Sequence, residues 1–267
     1  MTGAPHPVEV AQGDGPVILG LPHTGTHLPD DIFAALNDRG RVLADTDWHI
    51  HELYADLLPG ATTVRATFHR YVIDANRGPE DESLYPGQNT TGLVPVTDFD
   101  GEPIWQTLPT PEAVADRLSR FHALYHAALA AEIERVRARH GVAILYDCHS
   151  IRSVIPFLFD GVLPDFNIGT ANGTSCAPAI EAAAQEVAAA TGRTHVVNGR
   201  FKGGWTTRHY GRPQDGVHAI QMELAQSTHL ATETPPFHLD PAKADRMRRP
   251  LGEILQRLAD LAPTLKA

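Results

Sequence analysis

An aspartate and a histidine directly follow a short apolar segment in the middle of the chain. Residues 143–146 predict a buried strand, and Asp147, Cys148, His149 and Ser150 come next. Asp147 and His149 are two residues apart, so their side chains point to the same side of an extended chain. Such a pair suits a metal ligand or a general base with its orienting carboxylate. The plainer alternative is a strand-end turn capped by Asp147, with His149 in solvent.

A histidine also follows the first apolar segment of the chain. Residues 16–21 predict a buried strand that runs directly into Pro22 and His23. Further along, residues 45–54 contain two aspartates, two histidines and a glutamate, all of them potential metal ligands. Asp47 in this segment could ligate a metal, or it could lie in the first turn of a helix and stabilise the helix dipole. The segment by itself leaves both interpretations open.

Two regions carry cations that could bind an anionic substrate. Asn76 and Arg77 follow residues 71–74, a predicted strand, and an arginine at such a place can bind a carboxylate through two parallel hydrogen bonds. Residues 199–212 combine glycines with four cations and predict a mobile loop over an anion. The alternatives are a surface arginine and a solvated surface loop.

Helices and strands alternate along the predicted chain. Strands are predicted over residues 16–21, 64–68, 71–74, 143–146, 194–197 and 217–224, and helices over 29–36, 110–140, 177–190 and 240–262. Loops are predicted over 80–105 and 152–174. This alternation is typical of an α/β fold, in which ligands bind beyond the carboxyl ends of the strands. No repeat or linker divides the sequence, so a single domain is predicted over residues 1–267.

Two other features of these elements bear on a site. Glu223 lies near the end of the last predicted strand, where a buried carboxylate needs a partner. His122 and His126 lie four residues apart on the long helix and could chelate a metal. Since no HExxH pattern accompanies them, packing or solvent exposure is predicted for both.

The composition is that of an ordinary globular protein. Hydrophobic residues make up 42% of the chain and charged residues 20%, and the net charge of −10 argues against nucleic acid as a partner. Two cysteines give no disulfide framework, which fits a reducing compartment. The N-terminus shows no signal peptide, and no apolar segment approaches the roughly 20 residues that cross a bilayer. We therefore expect a cytoplasmic protein without membrane contact.

Several longer motifs are more specific than any of these short patterns. They include PHTGTHLPDD (22–31), LADTDWH (43–49), RYVIDANR (70–77), DCHSIRS (147–153), NGRFKGGWTTRHYGRP (198–213) and GVHAIQMELAQ (216–226). Through them the chain resembles the N-formylglutamate amidohydrolase family, from Pro22 to about Phe237. The resemblance implies a fold similar to that of zinc carboxypeptidases and aspartoacylase. That fold has a mixed, mostly parallel sheet flanked by helices, with a metal at its carboxyl edge.

The resemblance also implies a metal site. His23 and His149 correspond in position to zinc-binding histidines of those relatives. Thr26 stands where the relatives have a glutamate ligand. We assign this second ligand to Asp47, with His27 as the alternative. The expected cofactor is one zinc ion per chain, or another divalent metal.

The resemblance further implies substrate contacts. Asn76 and Arg77 correspond to the pair that holds the substrate, and Arg77 is also expected to serve catalysis. Glu223 corresponds to the glutamate that takes a proton from water and returns it to the amine. The cations expected at a second substrate carboxylate are those of the glycine-rich segment: Lys202, Arg208 and Arg212.

The expected reaction is hydrolysis of N-formyl-L-glutamate to formate and L-glutamate, the last step of a histidine degradation route. The implied partner is therefore a small dicarboxylate. Two alternatives remain at this stage. One is a deacylase acting on another N-acyl acidic amino acid, with an acetyl or succinyl group. The other is a metal-dependent binder of acidic metabolites that does not turn them over.

Overall fold

The computed structural model describes residues 5–83 and 86–265. Its strands form one sheet and are β1 (Val8–Ala11), β2 (Val17–Leu21), β3 (Thr62–Ala66), β4 (Ala143–Ile151), β5 (Phe166–Gly169), β6 (His195–Val197) and β7 (Val217–Ala225). Their order across the sheet is β1-β3-β2-β4-β7-β5-β6. β1 with β3 and β5 with β7 are antiparallel, and the other neighbours are parallel.

The α-helices are α1 (Asp30–Ala35), α2 (Ile50–Tyr54), α3 (Pro111–Arg117), α4 (Ala123–His140), α5 (Pro178–Ala190), α6 (Trp205–Tyr210) and α7 (Pro241–Leu261). A π-helical turn at Leu118–His122 joins α3 to α4, and short 3₁₀ turns lie at Gly40–Val42, Pro213–Asp215, Gln226–Thr228 and Ala262–Thr264. Helices α2, α5 and α7 pack on one face of the sheet, and α4 packs on the other. This mixed, mostly parallel sheet flanked by helices confirms the predicted fold class.

The two central strands are buried along their whole length. β4 and β7 each contain nine residues, all buried, and they pair in parallel register. A parallel strand in the middle of such a sheet is covered on both faces, which explains its nearly continuous apolar sequence. Asp147 and His149 on β4 and Glu223 on β7 interrupt that sequence in the C-terminal halves of the strands. Because burial of these groups is costly, their surroundings must supply partners.

Residues 71–74 do not form the predicted strand. They form a turn in which Val72 N donates to His69 O, while Asp74 N donates to Leu93 O of a distant loop. The apolar side chains of this turn are nevertheless buried. The prediction was wrong because a short apolar segment indicates burial but does not by itself indicate a sheet ladder.

Two of the predicted loops contain regular structure. β5 lies within the predicted loop 152–174, and α6 lies within the glycine-rich segment 199–212. β5 has only four residues, too few to show a periodic pattern. α6 contains two threonines, a histidine and a tyrosine, which are weak helix formers, so tertiary contacts override local propensity there. The edge strand β1 was also not predicted.

Among the described residues, no helix combines the length and the apolar character that a membrane span requires.

Candidate active site

The polar residues at the carboxyl ends of the strands meet in one cavity. The segment after β2 contributes His23, β4 contributes His149, and β7 contributes Glu223. The turn after β3 contributes Asp74 and Asn76. In an open parallel sheet this edge is where side chains from separate strands face a common crevice, so the fold explains why residues far apart in sequence meet here.

His23 is held from behind by a carboxylate. Its imidazole is almost fully buried, and its Nε2 lies 2.7 Å from Asp74 Oδ1 in a hydrogen bond. The other ring nitrogen, Nδ1, is buried and has no hydrogen-bond partner among the described residues. A buried polar atom without a partner is costly unless it binds something that is not part of the chain.

His149 has the same arrangement on the neighbouring strand. Its Nε2 lies 3.0 Å from Asp147 Oδ2, as the spacing of two residues along a strand allows. Its Nδ1 lies 3.2 Å from Asp47 Oδ2. Burial lowers the pKa of His149, but Asp147 and Asp47 more than reverse this effect, so that the pKa lies well above its ordinary value.

Asp47 completes the cluster from the segment that precedes α2. Its backbone N–H donates to His23 O, which fixes the segment beside the end of β2. Its Oδ2 lies 3.7 Å from His23 Nδ1 and accepts a hydrogen bond from Ser150 N. Because α2 begins only at Ile50, Asp47 is not in the first turn of a helix. The second interpretation of this residue in the sequence is therefore wrong.

The ligand atoms of His23, Asp47 and His149 lie within 4.8 Å of one another. Two imidazole nitrogens and one carboxylate oxygen are a donor set that zinc accepts, and a carboxylate behind each imidazole is the usual surrounding of metal-bound histidines. His27 is only partly buried and lies by Pro29 and Phe121, apart from this cluster. The structure thus brings Asp47, and not His27, to the two histidines.

The charge balance at the cluster favours a cation. Asp47, Asp74, Asp147 and Glu223 are all buried there, while Arg70 is the buried arginine of the same cavity wall. Burial raises the pKa of Asp74, but His23 and Arg70 outweigh this effect and hold the pKa well below its ordinary value. Buried carboxylates that remain ionised must be paired, and a divalent cation provides such pairing.

Glu223 lies beside the cluster. In the β4–β7 ladder its Cα partner is His149, and its side chain lines the same cavity. Burial raises the pKa of Glu223 to about 8. Its Oε2 accepts a hydrogen bond of 3.1 Å from Gln221 Nε2.

Asn76 and Arg77 also line the cavity, as predicted from their position in the sequence. Asn76 Oδ1 accepts from Thr206 N, and its Nδ2 lies 3.3 Å from His149 Nε2. Arg77 Nε donates to Thr91 O in the long loop. The strand expected before this pair is a turn, yet the pair still reaches the cavity.

Lys202, Arg208 and Arg212 are not among the residues that line the cavity. Arg208 donates from Nε to Gly203 O, and the half-exposed Arg212 lies near Asp215. Residues 205–210 form the helix α6, so Arg208 lies on a helix and not in the predicted extended loop. The assignment of these cations to a substrate carboxylate stays a prediction.

Two other arginines line the cavity in their place. Arg70 Nη2 lies 3.5 Å from Asp47 Oδ1, and its guanidinium stacks over the ring of Phe99 at 5.0 Å. Arg200 donates to the backbone carbonyls of Leu158 and Asn89. Both arginines belong to motifs quoted above, RYVIDANR and NGRFKGGWTTRHYGRP, but their side-chain directions depend on turns that the sequence does not reveal.

His122 and His126 are packing residues, as predicted. Their rings contact each other at a centroid distance of 4.3 Å with an interplanar angle of 48°. His122 Nε2 bonds to Arg77 O, and His126 Nε2 bonds to Ala75 O. They hold the backbone on either side of Asn76 and so position the cavity wall.

Most of the chain is similar to known proteins. A family model described as N-formylglutamate amidohydrolase matches residues 15–230. N-formylglutamate deformylases from Pseudomonas putida and Pseudomonas aeruginosa are 47% and 46% identical, over 92% of this chain and 93% and 94% of those proteins. The crystal structure of N-formylglutamate amidohydrolase from Ralstonia eutropha JMP134 superposes with a TM-score of 0.83 at 24% identity, covering 97% of this chain and 99% of that one. A gene product of Agrobacterium tumefaciens superposes at 0.75 and 19% identity over 98% of both chains.

We expect the purified protein to retain about one divalent metal ion per chain, and His149→Ala to lose it, because three protein ligands are the minimum set of such a site. Mass spectrometry of the metal content after gel filtration measures this. His218→Ala is the matched control, since His218 is a buried histidine of β7 at the end away from the cavity. Full metal content in His149→Ala would contradict the site.

Proposed function

The chain belongs to the N-formylglutamate amidohydrolase family, and on that premise we propose that it hydrolyses N-formyl-L-glutamate to formate and L-glutamate. The observation that carries the proposal is the convergence of the His23–Asp47–His149 cluster, the buried Glu223 and several arginines on one cavity. A metal site with a neighbouring carboxylate suits the hydrolysis of an amide, and the arginines suit the binding of an anionic substrate. We further propose that the reaction completes a cytoplasmic route of histidine breakdown.

For the metal we propose zinc, held by His23 Nδ1, His149 Nδ1 and Asp47 Oδ2. When bound, zinc supplies Lewis acidity, which acidifies water and polarises a carbonyl group. The chain contributes the orientation of its ligands. Asp74 holds His23 by a hydrogen bond at its Nε2, and Asp147 lies 3.0 Å from His149 Nε2, so that both Nδ1 atoms face Asp47.

For Glu223 we propose the role of general base and then general acid. Cleavage of an amide releases an amine, and an amine leaves only after its nitrogen has gained a proton. A pKa raised to about 8 by burial lies near neutral pH, where a group can both take up and release a proton. Glu223 would take the proton from water and deliver it to the departing nitrogen of glutamate.

For Arg70 we propose stabilisation of the oxyanion that develops on the formyl oxygen. Its guanidinium is buried in the cavity wall close to Asp47, and its Nε has no hydrogen-bond partner among the described residues. A donor already fixed in a buried site stabilises developing charge without reorganising, which makes this kind of contribution large. The ring of Phe99 keeps the guanidinium in place.

For the two carboxylates of the substrate we propose Arg77, with Asn76, and Arg200. Arg77 and Arg200 approach the cavity from different segments, and each donates to the long loop, at Thr91 O and Asn89 O respectively. Two cations at one small cavity match a dicarboxylate better than a monocarboxylate. The presence of Glu223 beside the metal cluster argues against a binder without turnover, which needs no proton carrier there.

We expect formate release from N-formyl-L-glutamate, and a kcat/KM about 10- to 100-fold lower for N-formyl-L-glutamine, because the missing carboxylate leaves a pocket cation unpaired. Arg77→Ala should lose a similar factor on N-formyl-L-glutamate. Arg77→Lys should restore little, because an ammonium cannot reproduce the planar fork of a guanidinium. The measurement is steady-state kinetics with a coupled formate assay.

Arg212→Ala serves as the comparison for this test, since Arg212 lies off the cavity. Equal kcat/KM values for the two substrates would remove the dicarboxylate assignment. Faster turnover of N-acetyl- or N-succinyl-L-glutamate than of the formyl compound would favour the alternative deacylase.

We expect Glu223→Gln to fold and to bind metal but to lose roughly 10²- to 10⁴-fold in kcat, the usual contribution of general acid–base assistance. The amide has the same shape as the carboxylate but cannot carry the proton. Kinetics, metal content and circular dichroism of the variant give the three readings. A loss smaller than about tenfold would show that Glu223 is not the proton carrier.

A further inference from the structure

Gln221 is buried in the cavity wall, two residues before Glu223 on β7. Residues at this spacing project from the same face of a strand, so both side chains reach the cavity. The amide of Gln221 carries no charge and has no part in the chemistry described above. Burying an amide is costly unless its oxygen and nitrogen both find partners, so its partners indicate what it does.

The orientation of this amide is determined by its partners. Gln221 Oε1 accepts a 2.6 Å hydrogen bond from Gly204 N, and Gln221 Nε2 donates to Glu223 Oε2 at 3.1 Å. A backbone N–H can only donate, so the atom facing Gly204 N must be the amide oxygen, and the amide nitrogen is left to donate to Glu223. Reversing the amide would set donor against donor at Gly204.

The backbone at Gly204, to which the Gln221 amide is bonded, has little freedom to move. A Cβ atom at Gly204 would lie 2.3 Å from Asn76 Nδ2, so the backbone here packs directly on the Asn76 side chain. Two residues later, Thr206 N donates to Asn76 Oδ1 at 2.9 Å. Gln221 is thus anchored to a backbone segment that is itself bonded to the cavity wall.

We propose that Gln221 is a positioning residue for the hydrolysis: its amide, anchored on the N–H of Gly204, holds the carboxylate of Glu223 in the orientation that takes the proton from water. The inference rests on the proposed function, because it requires Glu223 to be the proton carrier. The hydrogen bond occupies Oε2 of Glu223 and leaves Oε1 to receive the proton. The glycine-rich segment and the proton carrier are thereby mechanically linked through one side chain.

Two substitutions separate the two bonds of this amide. Gln221→Met keeps the length of the side chain and removes both bonds. Gln221→Glu keeps an acceptor for Gly204 N, removes the donor to Glu223 and places a second carboxylate beside it. Both should lower kcat on the order of 10- to 100-fold, as expected for loss of a hydrogen bond to a charged group, with metal content and KM near those of the unchanged protein.

A double-mutant cycle with Glu223→Ala distinguishes positioning from general destabilisation. Gln221→Met should cause no further loss of kcat when the carboxylate that it orients is absent. Gln226→Met is the matched control: this buried amide bonds to Thr46 O and Ser150 Oγ and, among the described residues, makes no hydrogen bond to Glu223. Gln226→Met should change kcat by the same factor in the unchanged protein and in Glu223→Ala.

Three results would overturn the role of Gln221. They are an unchanged kcat in Gln221→Met, an unchanged kcat in Gln221→Glu, and an equal loss from Gln221→Met with and without Glu223. If Gln221→Met does not fold, Gln221→Glu, which keeps the anchor on Gly204, gives the same cycle. If the unchanged protein releases no formate from N-formyl-L-glutamate, the proposed function fails and this inference fails with it. If the protein is active but the losses from Gln221→Met and Glu223→Ala simply add, only the role of Gln221 is overturned.

Discussion

The site depends on one constraint, the fixed rotation of two buried imidazoles. Each has a carboxylate at its Nε2, Asp74 behind His23 at 2.7 Å and Asp147 behind His149 at 3.0 Å. Both Nδ1 atoms consequently face the same oxygen of Asp47. Burying so many carboxylates costs free energy that the rest of the fold must offset. Such an arrangement suits the binding of a cation and is poorly suited to support stability alone.

The strand register determines which side chains share the cavity. His149 is opposite Glu223 and Asp147 is opposite Gln221 across the two central parallel strands. Because successive residues of a strand face opposite sides, a shift of one residue would move every one of these groups to the other face. The nine-residue buried ladders of β4 and β7 leave no such freedom. The core thus specifies the spacing between the metal cluster and the proposed proton carrier.

The sequence predicted much of this arrangement for an identifiable reason. His23 and His149 follow or end apolar strands, and strand ends in α/β folds are readable from local pattern alone. Asp47 lies before a short helix and was equally compatible with a role in its first turn. The start of α2 at Ile50 and the long-range hydrogen bond from Asp47 N to His23 O decide between the two.

The arginines show what the local sequence pattern cannot predict, namely which side chains reach the cavity. Arg208 and Arg212 have the right charge in the right segment, but Arg208 lies on the short helix α6 and neither is among the described residues that line the cavity. Arg70 was not predicted because it lies between the predicted strands 64–68 and 71–74, in a segment that the structure folds into a turn. Side-chain direction in turns is set by tertiary contacts, such as the hydrogen bond from Asp74 N to Leu93 O, which a single sequence does not display. Gln221 was likewise read as an ordinary strand residue, since its role depends on Gly204.

The most direct test of this account is anomalous diffraction from crystals of the zinc-loaded protein, collected on both sides of the zinc absorption edge. The account predicts an anomalous peak within bonding distance of His23 Nδ1, His149 Nδ1 and a carboxylate oxygen of Asp47. It also predicts that the two Nε2 atoms remain on Asp74 and Asp147. Zinc bound through either Nε2 atom, or a peak located away from these three residues, would contradict it.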